Sequence, residues 1–234
     1  MSPQKFTARF EDKIVHNEKF TQYAFELVEP NEITFQAGQY VSVQVDDLGT
    51  RRSYSICSTP DIQHGFELLI DLEPQGIGSK FFQNLEYGQQ ISFLGPLGNF
   101  TIAPDQSEAI VFVATGSGVA PFRSMILDLL QVKKDPRPMI LYWGLRYAQQ
   151  MFWQDEFEEL AENFPNFKFH PVLSKPSEDW VLCSGRVTDC LSVHSLPEKA
   201  SYYLCGNKQM VLDTTSMLQS LSVKPENIHH EKFY

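Results

Sequence analysis

The segment Arg52-Ser53-Tyr54-Ser55 combines residue types suited to binding a phosphorylated aromatic molecule. An arginine donates charge-assisted hydrogen bonds to phosphate. A tyrosine can lie flat against an aromatic ring, and a serine hydroxyl can reach a ring nitrogen. In an extended strand, Arg52 and Tyr54 would face one side and the two serines the other. Taken alone, the segment is more typical of a polar edge strand, so a binding role needs support from elsewhere in the chain.

Two glycine-rich turns supply that support. Gly76, Gly78 and Ser79 follow the next predicted strand and stand at a predicted helix start, where backbone N–H groups can hold phosphate. Thr115–Pro121 (Thr-Gly-Ser-Gly-Val-Ala-Pro) likewise joins a buried-type strand to a helix, and Pro121 suits a first helical turn. Because proline replaces the last glycine of Gly-x-Gly-x-x-Gly, a tight strand-to-helix turn explains this second segment equally well. Two phosphate-binding turns imply either two bound nucleotides or one long nucleotide that reaches both turns.

The elements that must position these residues change in type along the chain. Short alternating strands with turn residues between them predict a small antiparallel barrel in the first hundred residues. We predict its strands at 5–10, 14–16, 20–27, 39–45, 66–70 and 90–94, with a helix at 78–84. Beyond Ala103, apolar strands alternate with helices, which predicts a doubly wound parallel sheet. Its strands are predicted at 109–114, 139–143, 167–173 and 202–205, and its helices at 122–132, 149–163, near Thr188 and at 209–221.

Five motifs, in order along the chain, resemble those of the ferredoxin–NADP reductase superfamily. Arg52–Ser55 resembles its flavin motif, Gly76–Ser79 its pyrophosphate-binding motif, and Thr115–Pro121 its nicotinamide-dinucleotide loop. Leu94–Phe100 resembles the end of its barrel domain, and Cys205–Met210 the segment beside the nicotinamide. The resemblance implies two domains of β and α/β type. An antiparallel β-barrel that binds FAD (1–103) would precede a doubly wound, parallel-sheet domain that binds NAD(P) (104–234).

The resemblance also implies roles for single residues. Arg52 and Ser79 would bind the FAD pyrophosphate, Tyr54 would pack on the flavin ring, and Ser55 would lie near flavin N5. Cys205 would lie near nicotinamide C4, although a small buried residue at a strand end is the alternative for a free cysteine. Further cofactor contacts are expected from Ser53, Ile70, Asp71, Gly76, Gly78, Thr115, Gly116, Gly118, Pro121, Gly206 and Met210.

Four residues bear on the choice between NADPH and NADH. The 2′-phosphate of NADPH needs cationic partners, for which Ser174 and Lys175 after the third α/β strand, Arg146 and Arg186 are candidates. Each cation is equally well explained as a solvated surface charge. NADPH is the predicted donor, although Leu-Ser-x-Pro and Gly-Arg-Val-Thr-Asp also resemble NADH-linked oxygenase reductases.

The last residues raise two further questions. Tyr234 resembles the terminal aromatic residue that covers the flavin in some members of the superfamily, so it is a candidate catalytic lid; a frayed terminus is the equal alternative. No further ligands accompany the pair His229 and His230, so we expect no metal site.

Composition limits the classes of function. A formal net charge of −10 and a pI of about 5.0 give no global attraction to nucleic acid or anionic membranes. The N-terminus lacks an apolar leader and no apolar stretch approaches membrane length. Four scattered cysteines then suggest reduced thiols in a cytosol. We expect a cytoplasmic monomer.

The implied activity is hydride transfer between nicotinamide and flavin N5, followed by single-electron exchange. The chain has no plant-type Cys-x4-Cys-x2-Cys spacing, so the one-electron partner would be a separate protein, ferredoxin or flavodoxin. Such partners are commonly acidic, so a local basic face would be needed, with Lys5, Arg9, Lys13, Arg51 and Lys80 as candidates. The alternatives are a reductase component of an oxygenase, an NAD(P)H:flavin reductase, and a nucleotide-binding regulatory subunit.

Overall fold

The computed structural model describes residues 3–233, which form two compact units. The first unit comprises the residues up to Ile102 together with Ala120–Lys133. The second comprises Ala103–Val119 and the residues from Lys134 onward. No helix among the described residues is long and apolar enough to cross a membrane.

The first unit contains the predicted antiparallel barrel. Its six strands are β1 (Gln4–Val15), β2 (Phe20–Glu29), β3 (Tyr40–Gln44), β4 (Arg51–Ser55), β5 (Gly65–Asp71) and β6 (Gln90–Leu97), in the spatial order β4-β3-β6-β1-β2-β5. Alternate side chains point into one aromatic-rich core. The edge strands β4 and β5 meet at a bridge between Ile56 and Leu68, and the N–H of Cys57 donates to the carbonyl of Glu67 at 2.9 Å. The sheet is therefore a nearly closed barrel.

Two helices pack with this barrel. Helix α1 (Ile77–Gln83) follows β5, as predicted. Helix α2 (Ala120–Leu127) continues into a π-helical turn. Arg123 Nη1 of α2 donates to the carbonyl of Cys57 at 2.9 Å, and Ser124 Oγ donates to the carbonyl of Ser58 at 2.6 Å. The predicted domain boundary assigns α2 to the second domain, whereas these contacts group it with the first unit.

The second unit contains the predicted parallel sheet with helices. Its strands are β7 (Ala109–Thr115), β8 (Met139–Leu145), β9 (Phe167–Leu173), β10 (Cys183–Ser184), β11 (Ala200–Asn207) and β12 (Ile228–Phe233), in the order β10-β9-β8-β7-β11-β12. Its helices are α3 (Gln154–Asn163), α4 (Val187–Val193) and α5 (Lys208–Ser220). The central strands β7, β8 and β11 are buried along nearly their whole length, which explains their continuous apolar sequences.

Three features of this unit differ from the sequence expectations. Strand β12 pairs in parallel with β11, although its sequence Ile-His-His-Glu-Lys-Phe lacks the apolar run typical of such a strand. The two-residue strand β10 was also not predicted. The helix expected at 149–163 begins only at Gln154, because Trp153 before it adopts a left-handed backbone conformation with φ 53°.

The cysteines contradict the expectation of four reduced thiols. Cys183 in β10 and Cys190 in α4 form a disulfide, with their Cα atoms 5.8 Å apart. Cys57 and Cys205 are free and buried. The pairing depends on the tight turn from β10 into α4, which the sequence pattern alone did not reveal.

Candidate functional site

Strand β4 presents the first candidate surface, in the first unit. It pairs with β3 so that Val43 is opposite Arg52 and Val41 is opposite Tyr54. Gly78 of α1 lies against the same side of β4: a Cβ there would overlap with the Tyr54 hydroxyl and lie 3.3 Å from Arg52 Cγ. The predicted alternation thus brings Arg52 and Tyr54 together beside the glycine turn.

The side chains of this surface differ in exposure. Arg52 is exposed, and within residues 3–233 its side chain donates one hydrogen bond, from Nη1 to the carbonyl of Arg51 at 2.8 Å, which leaves its other donors available. Tyr54 packs edge-on against Phe82 at 5.0 Å, and burial raises its pKa to about 12. Ser55 is buried, whereas Ser53 is exposed. The arrangement offers a free guanidinium next to a partly buried aromatic ring.

Asp71, at the end of β5, lies in a charged group that links β2 to the turn. Burial raises the pKa of its carboxyl despite the nearby ammonium of Lys19, whose Nζ lies 3.7 Å from Asp71 Oδ2. Lys19 also pairs with Glu73. Ser79 Oγ donates to the carbonyl of Asp71 at 3.2 Å, which ties α1 to β5. Sequence reasoning missed Lys19, because only the pairing of β2 with β5 brings it to Asp71.

The second glycine turn lies in the second unit, after β7. Gly116 has a left-handed φ of 56°, and its carbonyl accepts a hydrogen bond from Trp143 Nε1 at 2.9 Å. A Cβ at Gly118 would overlap with the carbonyl of Cys205. The left-handed backbone at Gly116 and the close packing at Gly118 therefore account for these glycines, and a role for them in nucleotide binding stays a prediction. Pro121 is the second residue of α2, in the first turn as predicted.

Cys205 stands at the carboxyl end of β11, beside this turn. Gly206 after it has φ 138°, and the N–H of Asn207 donates to Thr115 Oγ1 at 3.1 Å. The Cys205 side chain is fully buried, and burial together with the nearby Glu231 carboxylate raises its pKa well above the usual value. The thiol is therefore neutral at physiological pH. Met210 is buried in the first turn of α5.

The candidate cations lie at the ends of neighbouring strands of the same sheet. The N–H of Lys175 donates to the carbonyl of Arg146 at 2.9 Å, and the Lys175 ammonium lies 5.8 Å from the centre of the Tyr147 ring. Within residues 3–233, neither Arg146 nor Lys175 forms an ion pair with a carboxylate. Arg186 differs, because its Nη1 lies 3.3 Å from Asp213 Oδ2. Sequence reasoning missed Asp213, which lies on α5.

Comparison with known proteins identifies the architecture. Family models match in succession: an oxidoreductase FAD-binding domain over residues 7–102 and an oxidoreductase NAD-binding domain over residues 112–216. The cytochrome P450 reductase GcoB of Amycolatopsis is 30% identical, with a TM-score of 0.89 over 99% of this chain and 70% of that chain. The chain belongs to the ferredoxin–NADP reductase superfamily. As a member of this superfamily it combines a FAD-binding barrel with an NAD(P)-binding α/β domain, which confirms the predicted fold and cofactors.

Two further comparisons set limits on what is shared. The phenol hydroxylase P5 protein of Acinetobacter pittii is 32% identical over 206 residues, which cover 86% of this chain and 58% of that protein. The chain spans about half to three fifths of the length of such curated relatives. A ferredoxin NADP+ reductase from Neisseria gonorrhoeae with bound FAD and NADP shares the fold, with a TM-score of 0.85 at 23% identity over 98% of this chain and 99% of that chain.

The first surface fits the flavin that the family implies. Gly78 leaves no room for a side chain next to Arg52 and Tyr54, whereas a Cβ at Gly76 would have nothing within 4 Å. The turn thus holds an aromatic ring and a free guanidinium on one side and leaves open space on the other. Tyr234, the candidate lid, lies outside the described residues.

Proposed function

We propose that the chain takes hydride from NAD(P)H and passes electrons singly to a separate redox protein, a ferredoxin or a flavodoxin. The observation that carries this proposal is the succession of a FAD-binding and an NAD-binding family model over residues 7–102 and 112–216. When bound, FAD supplies the chemistry: it accepts hydride at N5 and releases electrons one at a time.

The chain's own residues would bind and orient the flavin. Arg52 neutralises the pyrophosphate through its solvent-facing donors, and the backbone around Ser79 holds it further. Tyr54 packs against the flavin ring. Ser55, which is buried, would direct its hydroxyl to flavin N5. Burial raises the pKa of Tyr54 to about 12, so Tyr54 would present an uncharged ring to the flavin.

Cys205 would contact the nicotinamide as a neutral thiol. Its raised pKa excludes a thiolate at physiological pH, so it acts by shape and by weak S–H polarity, not as a nucleophile. Thr115, Gly116 and Gly118 would approach the dinucleotide with their backbone.

NADPH is the donor that we propose. Arg146 and Lys175 lie side by side without a described carboxylate partner, which leaves their charge available to a 2′-phosphate. Arg186 contributes less, because Asp213 already neutralises part of its charge. We expect Lys175→Ala to raise KM for NADPH several-fold and leave KM for NADH unchanged. Equal kcat/KM for NADPH and NADH in the unmodified protein would contradict the preference.

A second candidate function is supported by the names of two relatives. One similar protein is a phenol hydroxylase component and another is a cytochrome P450 reductase, so this chain is also a candidate reductase component of an oxygenase. Its four cysteines lack the Cys-x4-Cys-x2-Cys spacing, so the 234 residues themselves do not offer that iron–sulfur motif.

Steady-state turnover of the FAD-loaded protein distinguishes these functions. Ferricyanide measures total diaphorase activity with each nicotinamide, and ferredoxin, flavodoxin and free riboflavin are then compared as acceptors. Preference for ferredoxin or flavodoxin with FAD retained on a desalting column supports the proposal. Loss of FAD on the column, with activity restored by riboflavin, supports a flavin reductase. The absence of NAD(P)H oxidation with every acceptor would favour a nucleotide-binding regulatory subunit.

Two broader properties belong to the same proposal. We propose that the chain is a monomer, which sedimentation of the FAD-loaded protein tests. We also propose that it acts in the cytoplasm, where NAD(P)H is available as donor. Cell fractionation tests the location, and recovery in an extracytoplasmic fraction would contradict it.

A further inference from the structure

A cluster of metal-ligating side chains flanks the turn that carries Arg186. Cys183, Cys190 and His194 each place one sulfur or nitrogen donor within 4.8 Å of the others. Cys190 lies in α4, and His194, four residues later, directly follows the helix end at Val193. Cys190 Sγ lies 3.8 Å from His194 Nδ1. The three donors come from two elements that meet at the edge of the sheet.

Neighbouring rings enclose one side of this cluster. The His170 ring on β9 lies 4.5 Å from the His194 ring, and the Tyr142 ring of β8 stacks on His170 at 4.9 Å. Cys190 is buried, whereas Cys183 and His194 are half-buried. The cluster is thus walled by aromatic rings yet reachable from solvent.

We propose that Cys183, Cys190 and His194 form a redox-gated site for a thiophilic divalent cation, best matched by Zn²⁺. In the disulfide form the sulfurs are bonded to each other and offer no thiolate. A dithiol reductant transfers two electrons and two protons to the disulfide, which gives two cysteine thiols and the oxidised reductant. Zn²⁺ then displaces both thiol protons and binds two thiolates, the His194 imidazole and one solvent molecule.

The distances suit a tetrahedral ion after a small movement. Zinc bonds of about 2.3 Å to sulfur and 2.0–2.1 Å to nitrogen put two sulfurs roughly 3.8 Å apart and sulfur and nitrogen about 3.5 Å apart. The observed 3.8 Å between Cys190 Sγ and His194 Nδ1 is already close to that value. His194 Nδ1 must exchange its present hydrogen bond to the carbonyl of Cys190, at 2.9 Å, for the metal.

The dependence of metal binding on reduction of the disulfide rests on the cytoplasmic location proposed above. Disulfides in a reducing cytosol are typically transient or regulatory, so a half-exposed bridge there would spend time reduced. Either link, disulfide or metal, ties β10 to α4 across the turn that carries Gly185 and Arg186. The same turn is also held by the hydrogen bond from the N–H of Arg186 to Asp189 Oδ2 at 2.7 Å and by the contact of Arg186 Nη1 with Asp213 Oδ2 at 3.3 Å.

Metal retention by the FAD-loaded protein tests the site directly. The protein is reduced with a phosphine, freed of reductant, mixed with Zn²⁺ and desalted, and bound zinc is measured by mass spectrometry. We expect one zinc per reduced chain and none per oxidised chain. Co²⁺ in place of Zn²⁺ should give thiolate-to-cobalt charge-transfer absorption. Cys190→Ser and His194→Gln should lose retention, whereas Cys57→Ser, a buried cysteine outside the cluster, should keep it.

A second measurement needs no variant and so does not depend on the folding of one. With free Zn²⁺ at about ten times its Kd, alkylation of Cys183 and Cys190 in the reduced protein should slow about ten-fold. Peptide mapping assigns the rate to each cysteine. Unchanged alkylation of both, or equal zinc retention by oxidised and reduced protein, would overturn the proposal.

Discussion

At the scale of single residues, environment decides chemistry more than identity does. Arg52 and Tyr54 lie together because strand alternation puts them on one side, which the sequence predicts. The raised pKa of the Cys205 thiol could not be predicted, because it depends on burial and on Glu231 from a strand that the sequence did not reveal. The same holds for Lys19 beside Asp71, a pair far apart in sequence.

Gly78 gives a sharp test of the flavin surface. Gly78→Ala adds a Cβ that overlaps with the Tyr54 hydroxyl, so the ring must move away from its position beside Arg52. We expect the Kd for FAD, measured by quenching of flavin fluorescence, to rise about ten-fold, or roughly 1.4 kcal/mol. Gly88→Ala is the control, because this exposed glycine lies outside the proposed FAD surface and nothing lies within 4 Å of its added Cβ. Equal affinity of the two variants would contradict the assignment of this surface to FAD.

Cys205 gives a test by pH. An unperturbed cysteine ionises near pH 8.5, but burial disfavours the thiolate and raises the pKa of Cys205 above that range. Its thiol should therefore stay protonated and resist iodoacetamide at pH 8.5 in the folded protein, and kcat should show no thiol ionisation below that pH. Reduced Cys183, which is half-buried, serves as the reactive internal control. Alkylation of Cys205 that rises through an apparent pKa near 8.5 would refute this.

At the scale of elements, strongly patterned segments were predictable and context-dependent ones were not. The apolar runs of β7 and β8 and the alternation of β3 are typical of strands in any context. Strand β12 carries charged and histidine residues and forms only because the edge of β11 is available to pair with it. Helix α2 follows a strand of the second unit, yet its hydrogen bonds to Cys57 and Ser58 group it with the barrel. The sequence of α2 itself carries no signal for these long-range contacts.

The approach of α2 to the barrel can be tested at Gly38. This residue has φ 97°, and a Cβ there would overlap with the Phe100 carbonyl and with Met125 Cε of α2. Gly38→Ala should lower the free energy of unfolding by about 2–4 kcal/mol, from left-handed strain and overpacking together. Gly49→Ala shares the positive φ, at 84°, but has nothing within 4 Å, so it should cost only about 1–2 kcal/mol. Urea denaturation followed by flavin fluorescence compares the two, and equal losses would show that packing against α2 contributes nothing.

At the scale of the whole molecule, the order of the five motifs along the chain led to the prediction of the superfamily. Each motif alone had an ordinary structural explanation, and the structure explains Gly116 by its left-handed backbone and Gly118 by close packing. Their succession in one chain predicted a barrel followed by a parallel α/β unit. The distribution of charge was less predictable: Arg9, a candidate for the basic face, pairs with Glu11 and Glu26, and Arg51 donates to the carbonyl of Ser42 at 2.7 Å.

The net charge of −10 yields a prediction on electron delivery to an acidic ferredoxin. At about 0.01 M salt the Debye length is about 30 Å, so the partner experiences the charge of the whole molecule and is repelled. At about 0.15 M it falls to about 8 Å, and only local charges act. Because the candidate basic face is reduced by the pairing of Arg9, we expect kcat/KM for ferredoxin to rise between these salt concentrations. Steady-state turnover with NADPH measures it, and menadione, an uncharged acceptor, should show no such rise. A fall with added salt for ferredoxin alone would mean that a local basic face dominates the encounter.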